Sequence, residues 1–174
     1  MKNCFYIVRM KSKTSKLIKL ASGLCMLFFL LTACSKKGGG GGSSANTWRF
    51  AGNNYTASSV VYINAGASAD LSVTASGSTA SDANGLVFTF TPPPSGNTQM
   101  LITNSNAPNT VLVTESKLSG MTTTFYSNDV TNVNATVTIS NGKVGITFPG
   151  TIWLHNDGNF DDSAQISIST ITEQ

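Results

Sequence analysis

Val137-Thr138-Ile139-Ser140-Asn141-Gly142-Lys143-Val144-Gly145-Ile146 reads as a β-hairpin. Asn-Gly supplies the two positive-φ residues of a type I′ turn, the connection whose twist matches that of paired strands. With the turn at Asn141-Gly142, Ile139 faces Val144 and Val137 faces Ile146, so four apolar side chains share one face. A second hairpin is expected at Gly52-Asn53, pairing Phe50 with Tyr55 and Trp48 with Ala57, again on one face.

The surrounding chain has the same character. From Thr47 to Gln174 it is rich in Thr, Ser, Val, Ile, Asn and Gly and poor in Leu, Glu, Lys and Arg, a bias towards strands and turns. No stretch sustains an apolar period of 3.6 residues. Short alternating runs recur instead: Ser59–Ile63, Leu71–Ala75, Leu86–Phe90, Gln99–Thr103, Val111–Thr114, Thr123–Tyr126, Ile152–His155 and Ala164–Thr172. Pro92-Pro93-Pro94 forces a turn, because proline cannot donate to a ladder, and this suggests Leu86–Phe90 and Gln99–Thr103 as neighbours. The expected fold is all-β: an antiparallel β-sandwich, Ig-like or related, with an up-and-down β-barrel as the alternative.

Upstream lies a different kind of segment. Lys2, Arg9, Lys11, Lys13, Lys16 and Lys19 precede the apolar run Leu20–Leu31, which leads into Leu31-Thr32-Ala33-Cys34. Basic, apolar, then small residues is the order of a secretory signal peptide, and the run is too short for a membrane span of about 20 residues. Met10 is an alternative start, opening a compact basic region at Met10-Lys11-Ser12-Lys13. Residues 1–33 are therefore expected to be a signal peptide and 34–46 a linker of one cysteine, two lysines, five glycines and small polar residues. Residues 47–174 are expected to form a single domain. The twelve residues after Cys34 have a flexible-coil reach of roughly 20 Å. Lys36 and Lys37 are either solvated or in contact with anionic head groups.

The division changes what composition implies. The chain carries eleven basic and eight acidic residues, but six of the basic ones fall within residues 1–33. From Cys34 onward five basic residues face eight acidic ones, a net charge of −3, which argues against nucleic acid as a partner. Cys4 and Cys25 lie in the signal segment, so the domain has no cysteine for a disulfide, a zinc site or a thiol nucleophile.

Four groups of residues are candidates for function. Asp157, Asn159 and Asp161 have the alternate-oxygen spacing of a calcium loop, although Asp162 stands where an EF-hand has glycine and Ile168 where it has glutamate. The other reading is a solvated acidic loop, and no further cofactor is implied. Asp162-Ser163-Ala164 resembles an Asp-Ser/Thr-small sequon, which makes Ser163 a candidate for O-glycosylation. His155, with Asp157 or Asp161, is the material for a small hydrolase, but no G-x-S-x-G elbow, phosphate loop or dinucleotide fingerprint follows Cys34. Trp48, Tyr55, Tyr62, Tyr126 and Trp153 are either core or a sugar-stacking platform.

Cys34-Ser35-Lys36-Lys37 with its glycine run, the opening hairpin Trp48–Ala57, and the closing strand Val144–Phe148 followed by Asp162–Ser169 resemble small lipoproteins of Bacteroidota-type bacteria. The resemblance implies cleavage before Cys34, a diacylglycerol on its sulfur, and a β-sandwich domain with no assigned chemistry. It further implies an outer-membrane lipoprotein facing the periplasm, since Lys36-Lys37 replaces the acidic residues common after the cysteine of surface-exposed relatives. The function expected on this basis is a non-enzymatic binding or interaction module with an envelope protein or a glycan as partner. Carbohydrate binding through exposed aromatics and hydrolysis through His155 are the alternatives.

Overall fold

The computed structural model describes residues 46–79, 82–105, 107–119, 121–128, 131–156 and 159–174. Residues 1–45, which hold the expected signal peptide, Cys34 and most of the expected linker, therefore lie outside the described residues. Among those described there is no helix. Twelve strands follow one another: β1 (Thr47–Phe50), β2 (Asn53–Asn64), β3 (Ala69–Ala75), β4 (Asp82–Thr91), β5 (Thr98–Ile102), β6 (Thr110–Ser119), β7 (Met121–Ser127), β8 (Asn134–Ser140), β9 (Lys143–Thr147), β10 (Ile152–Asn156), β11 (Asn159–Ile168) and β12 (Ile171–Thr172).

Eight of them close into a barrel in the order β1-β2-β3-β4-β6-β7-β10-β11, every neighbour antiparallel, with β11 returning to β1. This is up-and-down order with excursions. β5 interrupts the meander between β4 and β6, and β8–β9 interrupts it between β7 and β10. With β12 these strands make a second wall, β5-β8-β9-β12, joined to the barrel through a parallel pairing of Leu101 and Ile102 with Thr110 and Val111. β2, β3, β4 and β6 thus form one sheet whose two ends are covered by different walls: β1-β11-β10-β7 and β5-β8-β9-β12.

A two-residue period explains why the sheet has one dry face. In β3, Ala69, Leu71, Val73 and Ala75 are buried while Asp70, Ser72 and Thr74 between them are only half-buried. In β4, Leu86, Phe88 and Phe90 point inward, and in β6 Val111, Val113 and Glu115 do. Burying a large side chain of this kind contributes about 1.5–3 kcal/mol, and the inward rows merge into one core. Apolar inside and polar outside is the inverse of a membrane-spanning barrel. No helix of the described residues is long and apolar enough to cross a membrane.

The Asn141-Gly142 hairpin has the expected register, Ile139 opposite Val144 and Val137 opposite Ile146, with φ of 52° and 77° at the turn. Behind it the sheet is tight. A Cβ on Gly145 would lie 2.9 Å from Thr138 Oγ1 of β8 and 3.2 Å from Thr172 Oγ1 of β12, so a side chain here would have to displace both hydroxyls.

Four expectations are corrected. The first hairpin turns at Ala51-Gly52 instead of Gly52-Asn53, with φ of 48° and 83°. Trp48 therefore faces Tyr55, their rings stacked at 5.2 Å, and the Ala51 N–H bonds Gln165 O at 3.0 Å. The shift is by two residues, so the same side chains keep the same face. β4 and β5 are not neighbours. Ten residue pairs with β6 occupy that edge of β4, more than the five-residue β5 could offer. The expected strand Ala164–Thr172 breaks after Ile168, because the chain crosses there from one wall to the other. Asn46, assigned to the linker, is buried in the fold. Its Nδ2 donates to Thr172 O at 2.8 Å and its Oδ1 accepts from Thr172 N at 3.0 Å.

Candidate binding face on the barrel wall

β10 alternates Ile152 and Leu154, both buried, with Trp153, which is 49% exposed. Its backbone positions Trp153 on the outer surface by the same rule that sends its neighbours inward. Register then places the outward residues of the adjoining strands. Trp153 lies opposite Gln165 of β11, and His155 opposite Ser163 of β11 on one side and Tyr126 of β7 on the other. One row further along β11, Ser167 faces Arg49 of β1, which in turn faces Asn54 of β2.

Two grooves run along this face and meet at Arg49 and Ser167. The larger, about 500 Å³, lies over the β2-β1-β11 strip, with Thr47, Asn54, Thr56 and Ser169 supplying polar groups. The smaller, about 100 Å³, is completed by Gly52, Thr151 and Gln165, the last being the cross-strand partner of Trp153. Hydroxyls and amides thus line a shallow trough with one guanidinium at its middle; Trp153 lines neither groove and stands beside the smaller one, opposite Gln165. Arg49 Nε donates to Gly52 O at 3.4 Å.

The five aromatics proposed as a platform divide between the two faces. Trp48 is buried at 2% exposure, and Tyr55 and Tyr62 pack against the core. Trp153 and the half-buried Tyr126 face outward, the latter beside His155. Asp157 lies outside the described residues, as do the side chains of Asn159 and Asp161, although Asn159 and Asp161 stand within β11. Asp162 is exposed and accepts from Asn156 Nδ2 at 3.0 Å. Ser163 is half-buried. Neither of the two grooves is lined by His155.

A second polar group sits inside the barrel. Glu115 is fully buried, and among the described residues neither carboxylate oxygen has a hydrogen-bond partner; the same holds for the buried Trp48 Nε1 and Asn84 Oδ1. Burial holds the Glu115 carboxyl well above the usual carboxylate range. The Trp48 N–H, close by but outside hydrogen-bond geometry, lowers it in part. Glu115 is therefore neutral over the acidic range and into the region where ordinary carboxyls are charged. On the outer face of the same sheet, burial raises the Asp70 carboxyl, and the Thr89 hydroxyl donating at 2.7 Å opposes that.

Arg49, Asn54, Gln165 and Ser167 did not stand out in the sequence as site residues. Their signal was positional: Arg49 lies between the inward Trp48 and Phe50, and Gln165 and Ser167 lie between inward-facing Ala164, Ile166 and Ile168. No family model, curated protein or solved structure matches the chain.

Proposed function

We propose that this chain is a lipid-anchored protein of the bacterial cell envelope whose barrel is a non-enzymatic binding module, and that its outer wall β7-β10-β11-β1-β2 binds glycans. The observation carrying the reading is Trp153: a half-exposed indole opposite Gln165, on the same face as a trough lined by hydroxyl and amide side chains. A sugar ring presents an apolar C–H face and a rim of hydroxyls. An indole offers a large, rigid surface for the first, with few rotors to immobilise. Gln165, Ser167 and Asn54 offer donors and acceptors for the second. Because these side chains stand on paired strands, the face is preformed and little order has to be gained on binding.

The anchor belongs to the same proposal. Two acyl chains on Cys34 would hold the protein to the outer membrane, facing the periplasm, since stable attachment takes more than one chain. The glycine linker would let the wall meet a polymer at a distance of roughly 20 Å. Labelling with palmitate in cells tests this half: label on the wild type and none on Cys34→Ala is expected, and equal label on both would refute it.

The binding half is tested with the full chain in a detergent lacking a sugar headgroup, by affinity electrophoresis through gels containing envelope or plant polysaccharides. Retardation that Trp153→Ala abolishes is the expected result. Retardation unchanged in Trp153→Ala would move the site away from this wall.

A further inference from the structure

We infer that the trough selects anionic glycans, with Arg49 receiving a carboxylate or sulfate while Trp153 carries a sugar ring. The inference rests on the glycan reading and specifies its ligand.

The argument begins with charge. Between Asn46 and Gln174 the chain has three basic residues, Arg49, Lys117 and Lys143, against eight acidic ones. In so acidic a domain an exposed arginine would ordinarily find a carboxylate. Among the described residues Arg49 does not, and none of the residues lining either groove is acidic. Its Nε–H bonds Gly52 O, which orients the side chain along the turn, and its terminal amino groups have no partner among the described residues. A guanidinium presents a planar fork matched to two oxygens of a carboxylate or sulfate. Here the fork is flanked by neutral hydroxyls and amides that complete hydrogen bonding without competing charge.

Spacing supplies the second part. Trp153 and Arg49 lie two strands and two residues apart, which puts their backbones roughly 12 Å from each other. That is a span for a short oligosaccharide, not for one ring. The smaller groove, with Gln165 and Thr151, lies between them. A free anion reaches Arg49 alone and a neutral glycan reaches Trp153 and the amides alone. An acidic oligosaccharide reaches both.

The test compares oligogalacturonate, its methyl ester and acetate on the full chain in detergent micelles, by calorimetry at low salt. A sulfated neutral oligosaccharide forms a fourth arm that distinguishes the two anion chemistries. The expected result is that oligogalacturonate binds about tenfold tighter than its ester, the scale of one charge-assisted contact, and that acetate does not measurably bind. Arg49→Gln should bring the acid down to the level of the ester. Arg49→Lys, which keeps the charge and loses the fork, should fall between. Trp153→Ala should weaken both. Acid and ester binding equally to the wild type would overturn the selection while leaving the glycan reading intact. Binding of neither would overturn both. Acid preference that survives in Arg49→Gln, with a near-ultraviolet spectrum like the wild type, would assign the anion to another residue and overturn the inference.

Discussion

The two walls that cover the β2-β3-β4-β6 sheet are built on different terms. The β1-β11-β10-β7 wall meets the shared sheet through backbone ladders at both edges, β1 on β2 and β7 on β6. The β5-β8-β9-β12 wall touches β6 at two residue pairs, and it reaches β2 through the Gln174 N–H on Val60 O, beside the Asn46–Thr172 pair. What they enclose differs in the opposite sense. Under the laddered wall lie Trp48, Phe50 and Phe125 with the unpaired Glu115; under the other, Met100, Ile102, Val137, Ile146 and Ile171 are purely apolar. The wall that is secured by backbone hydrogen bonds accommodates a buried carboxyl and carries the proposed binding face. The other, with few backbone hydrogen bonds to the shared sheet, depends more on side-chain packing.

The largest expected effect probes that dependence. Ile171, fully buried in the two-residue β12, is what holds the strand inward. Ile171→Ala should cost about 2–5 kcal/mol. Hydrogen exchange should then show amides of β8 and β9 losing protection before those of β10 and β11. Equal loss in all four strands would mean that the two walls unfold as one unit and that the contrast has no energetic content.

Glu115 tests the other wall. Its folded pKa is raised above the ordinary carboxyl value of 4.5. The native state therefore holds its proton longer than the unfolded chain does. Stability from this group is full below the unfolded value and is lost as pH rises towards the folded one. Glu115→Leu removes the cost of burying the group and should raise stability at pH 7 by about 1–3 kcal/mol. It should also flatten the fall between mildly acidic and neutral pH in denaturant titrations. A variant less stable than wild type at pH 7 would show that Glu115 has a partner in solution.

How much of this was legible depends on whether the information was local. The Asn141-Gly142 hairpin was readable in full, since turn chemistry and alternation agree over ten residues. The first hairpin was displaced because an alanine at φ 48° is not a sequence signal; the bond from Ala51 to Gln165 and the Trp48–Tyr55 stack select it from far along the chain. The place of β5 was unreadable for the same reason, being decided by competition with β6 for an edge. Glu115 was readable and was missed: ending the strand at Thr114 hid that Val111, Val113 and Glu115 share a face. Trp153 follows the same rule, since an aromatic between the buried Ile152 and Leu154 must point outward. Period two, carried one residue further, gives both the buried carboxyl and the exposed indole.

A smaller effect concerns the junction where the thinly closed wall is tied down. Asn46→Ala removes two hydrogen bonds to Thr172 from a buried amide, and should cost about 1–2 kcal/mol in chemical denaturation. Asn46→Asp keeps the acceptor and loses the donor, so it should recover part of that. If both variants match wild type, the two Asn46–Thr172 hydrogen bonds contribute nothing to holding the wall.

Trp153→Ala should have the smallest effect on stability, within about 0.5 kcal/mol, because a side chain already half in water loses little burial on truncation. The expectation separates recognition from folding on the laddered wall. Acrylamide should quench the emission of Trp153 and spare that of Trp48, which lies 2% exposed against Tyr55. In Trp153→Ala the quenchable component should vanish while the melting curve stays in place. A destabilisation of 2 kcal/mol or more, on the scale of a core truncation, would mean that the indole packs against the barrel instead of standing ready for a ligand, and the glycan reading would lose the observation that carries it.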